Sequence, residues 1–221
     1  APLFIGSMTG GTAHADAINA ALAETAEATG IALAVGSQRA SIESGRSQAA
    51  LRQRAPSVPL ISNLGGVQLA APGGIDLARR AVADIGADAI FIHLNPLQEA
   101  VQPEGETDWR GVLDAIETLV ATLEVPVMVK EVGAGIGPDV AQRLFDAGVH
   151  AVDIAGLGGT NWTRIEAARR KDTALFEPFL DWGLPTVDAL RAVRSASPHA
   201  RLIASGGVEN GLDAAKALWL G

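Results

Sequence analysis

One pattern recurs along this chain and restricts its fold more than any other feature: a short apolar run, a turn rich in Gly, Ser or Asn, then a helical stretch. The apolar runs are Pro2–Gly6, Ile31–Gly36, Pro59–Leu64, Ala89–Leu94, Pro126–Val132, Ala151–Ala155 and Arg201–Ser205. Between and after them lie amphipathic or Ala-rich segments, at Ala13–Thr29, Gly74–Ile85, Trp109–Leu123, Pro138–Ala147, Val187–Ser195 and Leu212–Leu220. Continuous apolar strands that alternate with helices predict a parallel sheet covered on both faces. Seven such strands are visible, whereas a TIM (β/α)8 barrel needs eight. Gly221 falls inside the helical pattern after the seventh strand, so we expect the eighth strand to be missing from this chain. No linker or low-complexity stretch interrupts the pattern, so residues 1–221 read as a single barrel domain, incomplete at both ends. An open doubly wound sheet is the alternative. It needs a switch point with one binding crevice, whereas here every strand end carries a polar or glycine-rich loop.

Composition narrows the chemistry. Of 221 residues, 48% are hydrophobic, enough for a sizeable core, and the 25 glycines suit close backbone packing. The net charge of −8, with no basic run, argues against nucleic acid as a partner. Cysteine is absent, which removes disulfides, thiolate nucleophiles and Cys-ligated metals and fits a reducing compartment. No apolar run approaches the roughly 20 residues of a membrane-spanning helix, so no membrane role is expected.

The strand-end loops carry the candidate site. The first reads Ser7-Met8-Thr9-Gly10-Gly11-Thr12, small enough for a flat ligand to approach the backbone. It reads equally as an ordinary turn with Thr12 as helix cap. In the second, Gly36-Ser37-Gln38-Arg39, Arg39 can fork onto a phosphate or carboxylate or make a surface ion pair; nearby Arg46, Arg52 and Arg54 read as solvated charges. Asn63, ending the third strand, can pair with a ring carbonyl or cap a turn.

The fourth strand ends in His93-Leu94-Asn95-Pro96-Leu97-Gln98-Glu99. Alternation places His93 and Asn95 on one face. Pro96 stops the ladder, leaving Gln98 and Glu99 on the following loop. Glu99 is a candidate Mg²⁺ ligand, because one carboxylate with substrate phosphates and waters is a usual arrangement. Lys130, at the end of the fifth strand, needs an anion, a cofactor or Glu131 if buried. A Schiff-base role is a further reading. Two glycine loops, Gly156-Leu157-Gly158-Gly159-Thr160 and Ser205-Gly206-Gly207-Val208, follow the sixth and seventh strands, where barrels bind phosphate groups such as that of FMN.

Taken together, the motifs SMTGG (7–11), GSQR (36–39), SNLG (62–65), HLNPLQE (93–99), VKEVG (129–133), GGTNW (158–162) and ASGG (204–207) resemble the type 2 isopentenyl-diphosphate isomerase family, in order along the whole chain. The resemblance implies a cytoplasmic, FMN-dependent, homo-oligomeric barrel, tetrameric or octameric, in isoprenoid biosynthesis. It would interconvert isopentenyl and dimethylallyl diphosphate using reduced FMN and Mg²⁺, with NADPH as reductant. It further implies that Ser7, Met8, Thr9, Ser37, Asn63, Lys130, Thr160, Gly206, Gly207 and Val208 hold FMN. Ser37, Gln38, Arg39, His93, Asn95 and Gln98 would hold the substrate, with Gln98 nearest the reacting carbons and Glu99 on Mg²⁺. The family pattern also has an N-terminal basic segment, absent from this sequence.

Four rival readings are weighed. A hydroxy-acid oxidase type would want a histidine on a late strand-end loop, paired with an arginine, and the only late histidines, His150 and His199, stand at no strand's C-terminal end. An inosine-monophosphate-dehydrogenase type needs a cysteine. A Schiff-base aldolase would not need the glycine loops or Glu99. A non-catalytic flavin-binding protein is the reading from a different class.

Overall fold

The computed structural model describes residues 2–10, 13–170, 174 and 176–221. Gly11 and Thr12, with the cap expected of Thr12, lie outside the described residues. Seven parallel strands appear where seven apolar runs stand: β1 Phe4–Ile5, β2 Ala32–Ala34, β3 Leu60–Gly65, β4 Ala89–Leu94, β5 Val127–Glu131, β6 Ala151–Asp153 and β7 Leu202–Ile203. Contacts within the chain group into two compact units. Unit 1 is Ala1–Ile92 with Gly111–Met128, and unit 2 is His93–Arg110 with Val129–Gly221.

In unit 1, sheet neighbours are sequence neighbours. Phe4 pairs with Ala32, Leu33 with Leu60 and Ala34 with Ile61. All six residues of β3 are buried, as a strand covered on both faces requires. Helices α1 (Ala13–Thr29) and α5 (Gly74–Ile85) keep the bounds that periodicity predicts. In α5, Leu77, Ala78, Ala81 and Ile85 form one buried stripe, and Gly86 ends the helix at φ 57°. Leu33, Val35, Leu51, Leu60 and Ile85 form the core with Ala23 and Ala26 of α1, and the Phe4 and Phe91 rings stack with centroids 6.1 Å apart.

Arg52 corrects its expected role. Its guanidinium donates to Ala55 O, Val58 O and Gly86 O and pairs with Asp88 at 2.6 Å, so it ties two turns together rather than standing in solvent.

In unit 2, β6 pairs with β7 through Val152–Leu202 and Asp153–Ile203. Helices flank these strands at α8 (Pro138–Asp146), α10 (Thr186–Ala196) and α11 (Gly211–Leu220). A small cluster of Val101, Ala167 and Phe176, with Leu97 and Leu180, closes the core, and the Arg170 guanidinium lies 4.6 Å above the Phe176 ring.

Several strands are shorter than their apolar runs because loops leave the ladder early. Hydrogen bonds of ladder type nonetheless continue past β2, with Val35 N–H to Ile61 O at 3.0 Å and Gly36 N–H to Thr9 O at 3.1 Å. The short helices α2 (Arg39–Glu43), α3 (Ala50–Arg54), α4 (Gly66–Ala70), α6 (Pro96–Val101) and α9 (Trp162–Ala168) are additions to the sequence reading. At five to seven residues, none is long enough to display a period. Helix α7 is Val112–Thr122.

The close approach of Thr9 to Gly36 yields a test. A Cβ on Gly36 would stand 2.2 Å from Thr9 O, whereas one on Gly6 would meet nothing within 4 Å. Gly36→Ala is expected to lower unfolding stability in urea by about 1–3 kcal/mol, and Gly6→Ala by less than about 0.5 kcal/mol. Equal effects of the two substitutions would contradict the close approach.

Candidate functional site

In unit 1 the strand-end loops meet backbone to backbone. Gly36 N–H donates to Thr9 O, and Gln38 N–H to Asn63 O at 3.0 Å. The Thr9 hydroxyl donates to Asn19 Oδ1 at 2.6 Å, and Asn19 Nδ2 returns a bond to Thr9 O. Gln38 is 0% exposed. Its Nε2 donates to Ala81 O, and its Oε1 accepts the Asn63 N–H. Its side chain therefore locks the backbone between Ser37 and Asn63. Asn63 is buried inside β3, which runs on to Gly65 rather than ending at Asn63 as expected, and Ser37 is half-buried, while Arg39 is exposed at the start of α2 and Met8 is exposed. Two buried hydroxyls at these ends, Ser7 Oγ and Ser62 Oγ, have no partner among the described residues. A buried polar atom without a partner costs free energy, so each suits a ligand's polar edge.

In unit 2 the heptapeptide is organised by α6, not by the loop expected for Gln98 and Glu99. Asn95 stands at the N-cap position, with its side chain making no capping bond, and Pro96 opens the helix with the φ a first turn needs. Glu99 N–H donates to Asn95 O at 2.9 Å, and Gln98 and Glu99 lie in the first turn. Asn95 is 4% exposed. Its Nδ2 donates to Gln98 Oε1 at 3.2 Å and to Glu99 Oε1 at 3.0 Å, while its Oδ1 is buried without a partner among the described residues. The Gln98 amide is held at both ends, because its Nε2 donates to Glu166 Oε1 at 3.2 Å. Glu166 is 5% exposed and accepts from Arg169 at 2.6 Å; Arg169 also pairs with Glu104 at 2.9 Å. His93, half-buried, is the penultimate residue of β4.

Sequence reasoning missed Glu166 as part of the site. No signal in the sequence marked it, because α9 is too short to show a period; the structure places Glu166 on the buried stripe Thr163, Glu166, Ala167 of α9, where an acid needs a specific partner.

The end of β5 holds Lys130 and Glu131, both buried. They do not form the side-chain ion pair considered from sequence. Lys130 Nζ donates to Glu131 O. The Glu131 carboxylate accepts the N–H groups of Val132, Gly133, Ala134 and Gly135. Burial pushes the Glu131 carboxyl up from its usual range, and these donors oppose that. Asp153, at the end of β6, is pushed up by burial too, against the nearby charge of Lys130 and the hydroxyl of Ser205, which donates to it at 2.7 Å. Asp153 is a second residue that the sequence reading did not single out, since it lies within the apolar run Ala151–Ala155.

Beyond β6 and β7 the glycine loops also meet main chain to main chain. A Cβ on Gly159 would lie 2.7 Å from Gly207 N, and one on Gly207 would lie 2.6 Å from Gly158 O. Gly206 and Gly207 sit at φ 97° and 79°, where a side chain is strained. Among the described residues, their N–H groups have no acceptor. Thr160 and Val208 flank these loops and are exposed. Small-residue loops with free donors are the cradle a phosphate requires. A small cleft in the same unit is lined by Gln98, Glu131, Gly133, Trp162, Thr163 and Trp182.

His150 and His199 stand just before β6 and β7, not after them. They line a shallow cavity with Arg201 at the strands' N-terminal ends. Among the described residues, no three acids or histidines are grouped as a metal cluster. A cation at Glu99 would therefore have to complete its sphere with ligand oxygens and water. No helix among the described residues is long and apolar enough to cross a membrane.

Comparison with known proteins extends this geometry. Residues 93–221 match the family described as FMN-dependent dehydrogenase. The whole chain is 58% identical to an isopentenyl-diphosphate delta-isomerase of Stutzerimonas stutzeri, 56% identical to one of Xanthobacter autotrophicus and 50% identical to one of Vibrio parahaemolyticus. It spans 66%, 66% and 67% of those relatives' lengths. A crystal structure of a mandelate oxidase variant superposes with TM-score 0.63 at 18% identity, over 100% of this chain and 63% of the oxidase. With the seven parallel strands, that likeness makes the fold an incomplete (β/α)8 barrel. The chain belongs to the FMN-dependent dehydrogenase family and, within it, to the isopentenyl-diphosphate delta-isomerases.

Proposed function

We propose that this chain carries the barrel of an enzyme that interconverts isopentenyl and dimethylallyl diphosphate, using reduced FMN and Mg²⁺. The names of the relatives support the reading. The observation that carries it is the amide of Gln98, fixed at its oxygen by Asn95 and at its nitrogen by Glu166. An allylic shift adds one proton to the terminal alkene carbon and removes one from the methylene beside the carbon bearing oxygen, with no net redox change. Such a reaction needs a precisely oriented polar group at the alkene rather than a histidine that abstracts a proton while a hydride leaves to an oxidant.

The residues fit FMN on three counts. Gly206 and Gly207 offer free N–H groups in a cradle with no room for side chains. Lys130 offers a buried cation. Thr160 and Val208 flank the phosphate cradle. In unit 1, Ser7, Met8, Thr9, Ser37 and Asn63 present hydroxyls, main chain and an amide suited to a flavin ring. When bound and reduced, FMN supplies a ring nitrogen able to give and retake a proton.

The chain's own residues then do the positioning. His93 is suited to the diphosphate, as is the exposed guanidinium of Arg39, with Ser37 and Gln38 shaping the backbone before Arg39; Asn95 gives both its N–H groups to Gln98 and Glu99 and so orients those two side chains toward the substrate. Glu99 has one carboxylate oxygen on Asn95 and the other on the Glu106 N–H at 2.8 Å. Both oxygens keep a lone pair for Mg²⁺. Gln98 has no titratable proton at neutral pH, so it orients the alkene and relays hydrogen bonding, with Glu166 holding it in place. NADPH as electron donor, a homo-oligomer as working form and a cytoplasmic location complete the proposal on the resemblance alone.

Two experiments follow. Gln98→Asn and Glu99→Gln should each retain FMN but lower kcat for isopentenyl diphosphate by about 100-fold or more. Full activity in both variants refutes the assignment. Lys130→Ala should raise the FMN dissociation constant by about tenfold or more, because a charged donor is removed. Unchanged flavin content on purification removes Lys130 from the site.

A further inference from the structure

Thr186 opens α10, and its side chain sits where the two glycine loops converge. The hydroxyl Oγ1 lies 2.8 Å from Gly206 O, 3.1 Å from Ser205 O and 3.2 Å from Leu157 O. The Thr186 N–H donates to Leu157 O at 3.2 Å, and Gly156 N–H donates to Ser205 O at 3.2 Å. One hydroxyl thus faces three carbonyls drawn from the segments after β6 and β7. Carbonyl oxygens that converge repel one another unless a donor stands between them, and here that donor is Thr186.

The approach depends on glycine from both sides. A Cβ on Gly206 would lie 2.2 Å from Gly156 O and 2.7 Å from Thr186 Oγ1, and one on Gly156 would lie 2.6 Å from Thr186 Cα. Asp153 anchors the same turn by accepting the Ser205 hydroxyl at 2.7 Å and the Ala155 N–H at 3.3 Å. Ser205 is thereby held through its side chain, and the adjoining carbonyls through Thr186.

We propose that Thr186 is a positioning residue: its hydroxyl staples the loop after β6 to the loop after β7 and so sets the direction of the Gly206 and Gly207 N–H groups. That these N–H groups then grip the FMN phosphate rests on the cofactor reading above; the staple itself does not. Thr186 acts through main chain, with its hydroxyl enclosed by carbonyls. The β-branched side chain restricts χ1 and keeps the hydroxyl on station.

The test compares Thr186→Val, which keeps the shape and loses the donor, with Thr186→Ser, which keeps the donor. Thr186→Ala provides the donor-free reading if the valine variant does not fold. Two quantities are measured: amide hydrogen exchange at Gly156, which reports the loop-to-loop bond without any ligand, and the FMN dissociation constant from flavin fluorescence. Loss of the donor should speed Gly156 exchange and raise the FMN dissociation constant, each by about tenfold, as expected for one lost hydrogen bond. Thr186→Ser should stay within about threefold of wild type in both. Wild-type exchange in the donor-free variants overturns the staple, as does an equal loss in the serine variant. Faster exchange with unchanged FMN affinity overturns the link to phosphate. A wild-type protein that takes up no FMN refutes the cofactor reading, and the exchange comparison then decides the staple alone.

Discussion

Where neighbouring strands release their loops, main chain packs directly on main chain, and much of the candidate site depends on that contact. In unit 1 it joins Thr9 and Gly10 to Gly36 and Ser37; in unit 2 it joins Gly156–Gly159 to Gly206 and Gly207. A Cβ at Gly36, Gly156 or Gly206 would intrude to between 2.2 and 2.6 Å of its nearest neighbour. Close packing of this kind leaves polar N–H and C=O groups facing each other, so each must find a partner or wait for a ligand. Thr186 and Gln38 supply partners. The Gly206 and Gly207 N–H groups, with no acceptor among the described residues, are what remains for a ligand.

The second constraint is the cost of burying polar side chains near the strand ends. Asn95, Lys130, Glu131, Asp153 and Glu166 are all buried. Four backbone donors satisfy Glu131, Ser205 satisfies one oxygen of Asp153, and Arg169 and Gln98 satisfy Glu166. Each such bond also fixes a direction, and for Gln98 the direction is the useful product. An amide bonded at both ends cannot rotate freely, so its remaining N–H and lone pair keep a set orientation. Preorganised dipoles of this kind act on developing charge without reorganising during the reaction.

Much of the fold was legible in the sequence because it rests on periodicity. The apolar runs around Leu60, Ile90 and Val127 became β3, β4 and β5, and α1 and α5 kept the predicted bounds. Helices of five to seven residues were illegible, since one or two turns carry no repeat; α6 was therefore read as a loop. The site was half legible. Polar residues just after apolar strands stood out, which is how Asn95 and Lys130 became candidates; Gln98 became the candidate nearest the reacting carbons only through the family resemblance. Glu166, 68 residues from Gln98 in sequence, was not found, because the bond joining them depends on how α6 and α9 pack. Gln38 shows the opposite limit: the family resemblance implied a ligand contact, whereas its side chain is turned into the protein to hold Asn63.

The central claim is that flavin chemistry here moves a proton and consumes no electrons. It is tested most directly by counting reductant against product. Reduced anaerobically with dithionite and given isopentenyl diphosphate and Mg²⁺, the protein should form many equivalents of dimethylallyl diphosphate after a single priming reduction of its FMN. Reductant consumed in proportion to product, or product formed equally well by the oxidised protein, would contradict the account.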